Sequence, residues 1–271
     1  MMNKSTNEDI TNVFLETSGH GMKLFGTSST RGFLAQKLQD KTLYSSLYVL
    51  GEFITAFLYP ASLALTLARD PATKSFRDVL ILMDKKYSRY MPSKAWAGVQ
   101  VLAKISEGGT EDKDDVADRL ERMIAYQLLD DFMDTLEPLI NTIDCEYAKW
   151  DPEQHRKGDR FDGEGLGLNR KTPLGCNISP FIRSHLTEFN AVIKAIRCLA
   201  KPDKKQKKAL LTADCIDISN SALVCSTCRR LADVIISIEC PSHCDLCTEN
   251  IEHFSVTLPP LGKNWLDISG M

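Results

Sequence analysis

The sequence predicts an α/β protein whose sheet comes from two flanking pieces of the chain, residues 10–60 and 212–268, with a large all-α insertion, residues 61–211, between them. Three observations predict it. Val13-Phe14-Leu15 is a continuous apolar run closed by the polar Glu16-Thr17-Ser18, the pattern of a strand covered on both faces. From Pro60 to about Pro202 the apolar residues recur almost wholly at helical spacing. After Lys208 a short helix rich in Ile and Val, Leu231–Cys240, leads through a tight connection to a second buried strand, Asp245–Thr248.

The first strand is expected over Ile10–Glu16, and an acid directly after it would sit at the carboxyl edge of the sheet, where open α/β sheets bind their ligands. Gly19–Thr30 (GHGMKLFGTSST) reads as turn-rich, and Arg31–Gln39 as a short amphipathic helix. Thr42–Tyr59 reads as a longer helix, with Leu43, Leu47, Leu50, Ile54, Phe57 and Leu58 at helical spacing, Thr42 as its cap and Pro60 as its stop. Glu52 is the only acid in that segment, and a lone carboxylate there is costly to bury unless it is paired or binds a metal.

In the insertion, Asp115–Glu137 places Val116, Leu120, Met123, Ile124, Leu128, Phe132 and Leu136 on one stripe, with a solvated acidic face opposite and Pro138 at its end. Trp150–Pro180 is a long loop rich in glycine, proline and basic residues. Its Gly163-x-Gly165-x-Gly167 run lacks the preceding strand and the spacing of a phosphate-cradling motif. Phe181–Leu199 is a further amphipathic helix, followed by the basic run Lys201, Lys204, Lys205, Lys207 and Lys208, read as a solvated surface or as half of a phosphate-contacting patch. Beyond it, Asp217–Arg230 is helical, Asp233 stands at the start of the next helix, Phe254–Leu258 and Trp265–Ile268 are short strand-like pieces, and Pro259-Pro260-Leu261-Gly262 is the turn between them.

The bulk properties narrow the function. A chain of 271 residues, 43% hydrophobic and 25% charged with a net charge of -3, can bury a large core, and it carries no global basic signal for nucleic acid, so any polyanion contact must be local. The polar, acidic Met1–Asp9 does not read as a secretory signal, and Pro60 breaks the apolar segment around Phe53–Leu58, so the expectation is a cytoplasmic protein without membrane contact. Nine cysteines fit a reducing compartment better than a disulfide framework. Cys225-x2-Cys228, Cys240-x3-Cys244 and Cys244-x2-Cys247 approach zinc-ligand spacing, but they lie in apolar helical and strand stretches, where core packing explains them as well.

Taken in order, VFLETS, YVLGEF, LADVIISIE and LCTENIEHF resemble the PIN-domain nucleases. In that family the first strand ends in an acid followed by Thr and Ser or Asn, a second acid lies in a following helix, a third opens a later helix, and the next strand ends in Thr-x-Asp or Thr-x-Asn before an aromatic residue. The resemblance covers the two flanking pieces, less than half the chain. This sequence departs from the pattern in having Glu16 where Asp is usual and Asn250 where Asp is usual.

The resemblance implies a three-layer domain around a central parallel sheet and a metal-dependent endonuclease, a ribonuclease rather than a deoxyribonuclease, of a family with toxin and defence members. It implies Glu16, Glu52 and Asp233 as ligands of Mg2+ or Mn2+, Asn250 as a ligand through water, and Thr17, Ser18 and Thr248 as hydroxyls holding the carboxylates or the scissile phosphate. Lys204 and Lys205 of the basic run are the candidates for substrate contact, on the reading of that run as a phosphate-contacting patch. Three carboxylates within ~4 Å of one another repel by several kcal/mol unless a divalent cation sits among them, and hard oxygen ligands select Mg2+ or Mn2+. The partners it implies are a nucleic acid, a homodimer or an inhibitory protein. The rival readings are a catalytically weakened PIN fold serving as a scaffold, and a helical zinc adaptor built on Cys225, Cys228, Cys240, Cys244 and Cys247.

Overall fold

The computed structural model describes residues 12–87, 92–107, 112–144, 177–216 and 225–269, together with residue 148 and a two-residue hairpin pair, Arg156–Lys157 with Arg160–Phe161. Ile10, most of the glycine-rich loop and residues 217–224 lie outside the described residues.

The architecture is α/β. A four-stranded sheet, wholly parallel, is built from β1 (Asn12–Leu15), β2 (Thr42–Tyr44), β3 (Asp245–Thr248) and β4 (Trp265–Asp267), in the order β2-β1-β3-β4. Helices α1 (Thr17–Phe25), α2 (Ser28–Leu38) and α3 (Leu47–Arg69) follow the first two strands. The helical middle contains α4 (Phe76–Tyr87), α5 (Pro92–Ser106), α6 (113–133), α7 (Ile178–Ser184), α8 (Leu186–Arg197) and α9 (Lys204–Cys215). It is followed by α10 (Cys225–Arg230), α11 (Ala232–Glu239) and α12 (Ile251–Thr257).

β1 is a strand because its three apolar residues are each needed: Val13, Phe14 and Leu15 are wholly buried, Phe14 in the main core with Leu246, and Val13 and Leu15 in a second cluster with Cys247 on the opposite face. The main core runs without interruption from Phe14 through the helical middle to Leu258. The step from Pro60 to Ala61 falls inside α3, and the segment after α6 lies along the free edge of β2, through Glu137 N to Leu43 O (2.9 Å) and Ile140 N to Ser45 O (3.0 Å). That contact covers an edge which would otherwise present unpaired backbone groups.

Five local expectations are corrected. Gly19 and Gly21 belong to α1 rather than to a turn. A Cβ on Gly19 would stand 3.2 Å from the Cys247 carbonyl and one on Gly21 would stand 2.7 Å from the Phe57 ring, so the glycines let α1 pack against β3 and α3. Thr42–Tyr44 pairs with β1 as a strand, and α3 begins later, with the Ser46 hydroxyl accepting from Val49 N at 3.2 Å. Pro60 does not stop α3. Ile54–Leu58 forms a π turn whose last bond runs from Tyr59 N to Ile54 O, and Pro60, with no N–H to give, sits just past this step in the ladder. The alternation in Phe254–Leu258 imitates a strand, yet Phe254 within α12, Thr257 at its end and Leu258 just beyond it are buried at helical spacing. The long acidic helix also ends at Met133, before Pro138, where Thr135 takes a positive φ of 66°.

α3 is long and apolar enough to cross a membrane, and 67% of its apolar window is buried within this protein. Phe57 stacks on Phe25 (4.8 Å) and packs on Phe53 (5.0 Å), so the ring facing Gly21 is held on several sides. Gly21→Ala is therefore expected to destabilise the protein: overpacking costs about 1–3 kcal/mol against a helix-propensity gain of about 1 kcal/mol. A net loss on the order of 1 kcal/mol in urea titration is the expected result, and a more stable variant would contradict the close packing.

Candidate active site

Beyond the carboxyl ends of β1 and β3 four distant segments of the chain meet. β1 has β2 on one side and β3 on the other, so the connections leave in opposite directions and open a crevice, the place where such sheets bind ligands. The pairing of Leu15 with Cys247 brings Glu16 and Thr248 side by side at that edge. Above them is a cavity of about 510 Å³, lined among others by Glu16, Glu52, Asp233, Lys205, Arg229 and Asn250.

Glu16 is the residue before α1 and caps it. Its carboxylate accepts from Ser18 N at 2.9 Å and from the Ser18 hydroxyl, with a further hydrogen bond from Thr248. Only 5% of the residue is exposed. Burial pushes its carboxyl above the ordinary carboxylate range, the Ser18 and Thr248 hydrogen bonds oppose this, and the charge of Asp233 adds to it. Glu52 reaches the same cavity from α3 and accepts from Thr17 Oγ1 at 3.1 Å. Burial raises its carboxyl to about 7, with Asp233 and Glu16 pushing in the same direction and Lys205 resisting. The three acids therefore sense one another's charge.

Asp233, in the first turn of α11, stays ionised. Burial works against its charge, but Lys205 and His253 outweigh burial and hold its carboxyl below the usual range. Lys205 Nζ donates to Oδ1 at 2.7 Å, and His253 Nδ1 donates to Oδ2 at 2.8 Å. The other imidazole nitrogen, Nε2, donates to Asp203 Oδ2 at 2.6 Å. With both nitrogens donating, chiefly to Asp233, the pKa of His253 is raised. Asp203 closes the loop, because it caps α9 through Oδ1, which accepts from Lys205 N (2.6 Å) and Gln206 N (2.8 Å), while Gln206 returns a side-chain acceptor to Asp203 N. Asp203, Lys205, Asp233 and His253 thus form a ring that ties α9 to α11 and α12.

The structure brings Glu16, Thr17, Ser18, Glu52, Asp233, Asn250 and Lys205 to the cavity wall, with the buried Thr248 directly behind them. The Asn250 amide lies 3.0 Å from His253 Nδ1, and its backbone N–H donates to Thr248 Oγ1 at 2.8 Å. Lys204 is exposed and does not line the cavity. Sequence reasoning missed Asp203, His253, Arg229 and Glu249. Asp203-x-x-Gln206 carries a legible signal, since a capping residue followed three positions later by Gln is the pattern of a capping box. For His253 the only sequence cue is its place three residues after Asn250.

Among the described residues no three His, Cys, Asp or Glu side chains stand, as placed, in position to hold a metal ion. Asp233 is turned to Lys205 and His253 instead. In kind, however, the donors fit a hard divalent cation: the carboxyl groups of Glu16, Glu52 and Asp233 line one cavity together with the Asn250 amide. The cysteines are placed differently. Cys240, Cys244 and Cys247 are buried, and burial pushes the Cys240 thiol to about 12 and the Cys244 thiol to about 11, away from the thiolate form that binds zinc. The side chain of Cys225 lies outside the described residues. Compared with known proteins, the chain matches no family model, no curated protein and no solved structure.

Proposed function

We propose that this protein is a metal-dependent nuclease of the PIN type, hydrolysing phosphodiester bonds in RNA, with Mg2+ or Mn2+ held by Glu16, Glu52 and Asp233 and with Asn250 acting through water. The observation that carries this reading is the meeting of the three acids on the wall of one cavity at the sheet's switch point, from positions up to about two hundred residues apart. Burial raises the pKa values of both glutamates, and the charge of Asp233 adds to it. The order of motifs around them supports the same family.

The residues divide the work. Thr17 holds Glu52, Ser18 and Thr248 hold Glu16, and His253 orients Asp233. Lys205 and Arg229 supply positive charge in an otherwise acidic cavity, which lets a phosphate approach. A bound divalent cation lowers the pKa of a water and steadies the charge that develops on the phosphoryl oxygens.

The test is hydrolysis of end-labelled RNA and of the matching DNA in Mn2+ or Mg2+. Cleavage of RNA that is lost on chelation, and lost again in Glu52→Gln, supports the reading; cleavage indifferent to chelator removes it. His253→Phe, which frees Asp233 and Asp203 together, is expected to lower activity about 10–100-fold, the usual cost of removing a partner that orients a ligand. Equal activity would mean that the imidazole does not position Asp233.

One observation favours a second reading. Both oxygens of Asp233 already have protein partners. If that pairing is permanent, the fold is a scaffold or binding module, and Mn2+ calorimetry on the wild type separates the two readings.

A further inference from the structure

The Lys205 ammonium lies in the midst of the proposed ligand set. Its Nζ is 2.7 Å from Asp233 Oδ1, and it feels Glu52 and Glu16 as well. It comes from α9, in the helical middle of the chain, and not from the sheet or its flanking helices. Two features suit it to move. The side chain remains 46% exposed while Asp233 is only 16% exposed, so the lysine, and not the aspartate, has room to turn away. Its backbone is anchored, because the Asp203 cap and the His253 bridge hold the start of α9 independently of the lysine side chain.

We propose that Lys205 is a resident counter-ion, standing at Asp233 in the place of the divalent cation and swinging to a substrate phosphate when the cation arrives, so that metal and nucleic acid bind with positive coupling. This rests on the metal-site reading above. The physical reason is charge. Three carboxylates around one cavity repel one another and a phosphodiester, and the ammonium offsets this at Asp233. A divalent cation displacing it sets free a flexible, compact positive charge within the same cavity. A phosphate gives that charge a new partner, and its departure from Asp233 then costs less. Linkage requires the coupling to be reciprocal: RNA must tighten Mn2+ binding by the factor with which Mn2+ tightens RNA binding.

The experiment is calorimetric titration of Mn2+ into wild type and Lys205→Met, each with and without a short phosphorothioate oligoribonucleotide. Lys205→Met keeps most of the stem and removes the charge. Without RNA it is expected to bind Mn2+ about tenfold tighter than wild type or more, and the further tightening that RNA produces in wild type is expected to disappear. Lys205→Arg, which keeps the charge, is expected to bind Mn2+ no tighter than wild type. The proposal is overturned if Lys205→Met binds Mn2+ no better than wild type, or if RNA tightens both proteins equally. If no form of the protein binds Mn2+, the metal-site reading itself has failed, which is a distinct result. Circular dichroism melts check folding, and Lys205→Gln replaces the methionine variant if that one does not fold.

Discussion

Asp233→Asn is expected to reduce Mn2+-dependent RNA cleavage by at least about 100-fold, since partners that merely orient a metal ligand cost 10–100-fold when removed and Asp233 is proposed as a ligand itself. Asparagine keeps the shape and one carbonyl oxygen but removes the charge. That charge has two functions in the structure: it holds Lys205 and His253, and it adds to the burial that raises the pKa values of Glu16 and Glu52. Its loss therefore also lets the two glutamates ionise more readily, a change visible as a shift in the pH profile of Mn2+ binding to lower pH. Folding should survive, because the partner Lys205 is half-exposed and water can take over its solvation. A thermal melt close to that of wild type together with lost cleavage is the expected pair of results. A variant that cuts as fast as wild type would remove Asp233, and with it the site, from consideration.

The second large effect concerns stability. Glu239, at the end of α11, is 6% exposed and is held by hydrogen bonds from the Ser46 and Thr142 hydroxyls, with no positive charge compensating it among the described residues. Burial raises its carboxyl from 4.5 to about 7. Between those values the folded protein keeps a proton that the unfolded chain releases, so the contribution of this group is complete below about pH 4.5 and declines as pH rises to about 7. At about 1.4 kcal/mol per unit the loss is on the order of 3 kcal/mol. Glu239→Gln, a permanently neutral near-isostere, should flatten that part of the pH dependence and be the more stable protein at pH 8. The difference in unfolding free energy between pH 5 and pH 8, measured for both, checks this; equal pH slopes would show that Glu239 is not the group responsible. Glu52 titrates in the same range and contributes the same sign, so wild type and variant must be compared rather than wild type alone.

The contact that makes Glu239 matter was not legible in the sequence. It joins the start of α3, through Ser46, to Thr142 beyond the long acidic helix, and no local pattern pairs residues nearly two hundred positions apart. The elements themselves were more readable. Val13–Leu15 and Asp245–Thr248 are strands, and the helix that carries Asp233 lies where its Ile and Val residues place it. The misread segments each have a cause that lies outside local propensity. Gly19 and Gly21 favour a turn by propensity, but close packing on β3 and α3 uses them in a helix; Thr42–Tyr44 can serve helix or strand, and pairing with β1 chose strand; Pro60 stops a helix by rule, but the π turn just before it accommodates the missing N–H.

By itself the sequence determined the α/β class, two strand ends and the order of the acids Glu16, Glu52 and Asp233, because apolar period and an acid after an apolar run are local properties. Only the tertiary structure decided that these acids share one cavity, that Lys205 from the helical middle faces Asp233, and that His253 and Asp203 close a ring behind them. The physical reason is that electrostatic partnership depends on distance in space and on burial, and neither is encoded in the spacing of residues along the chain.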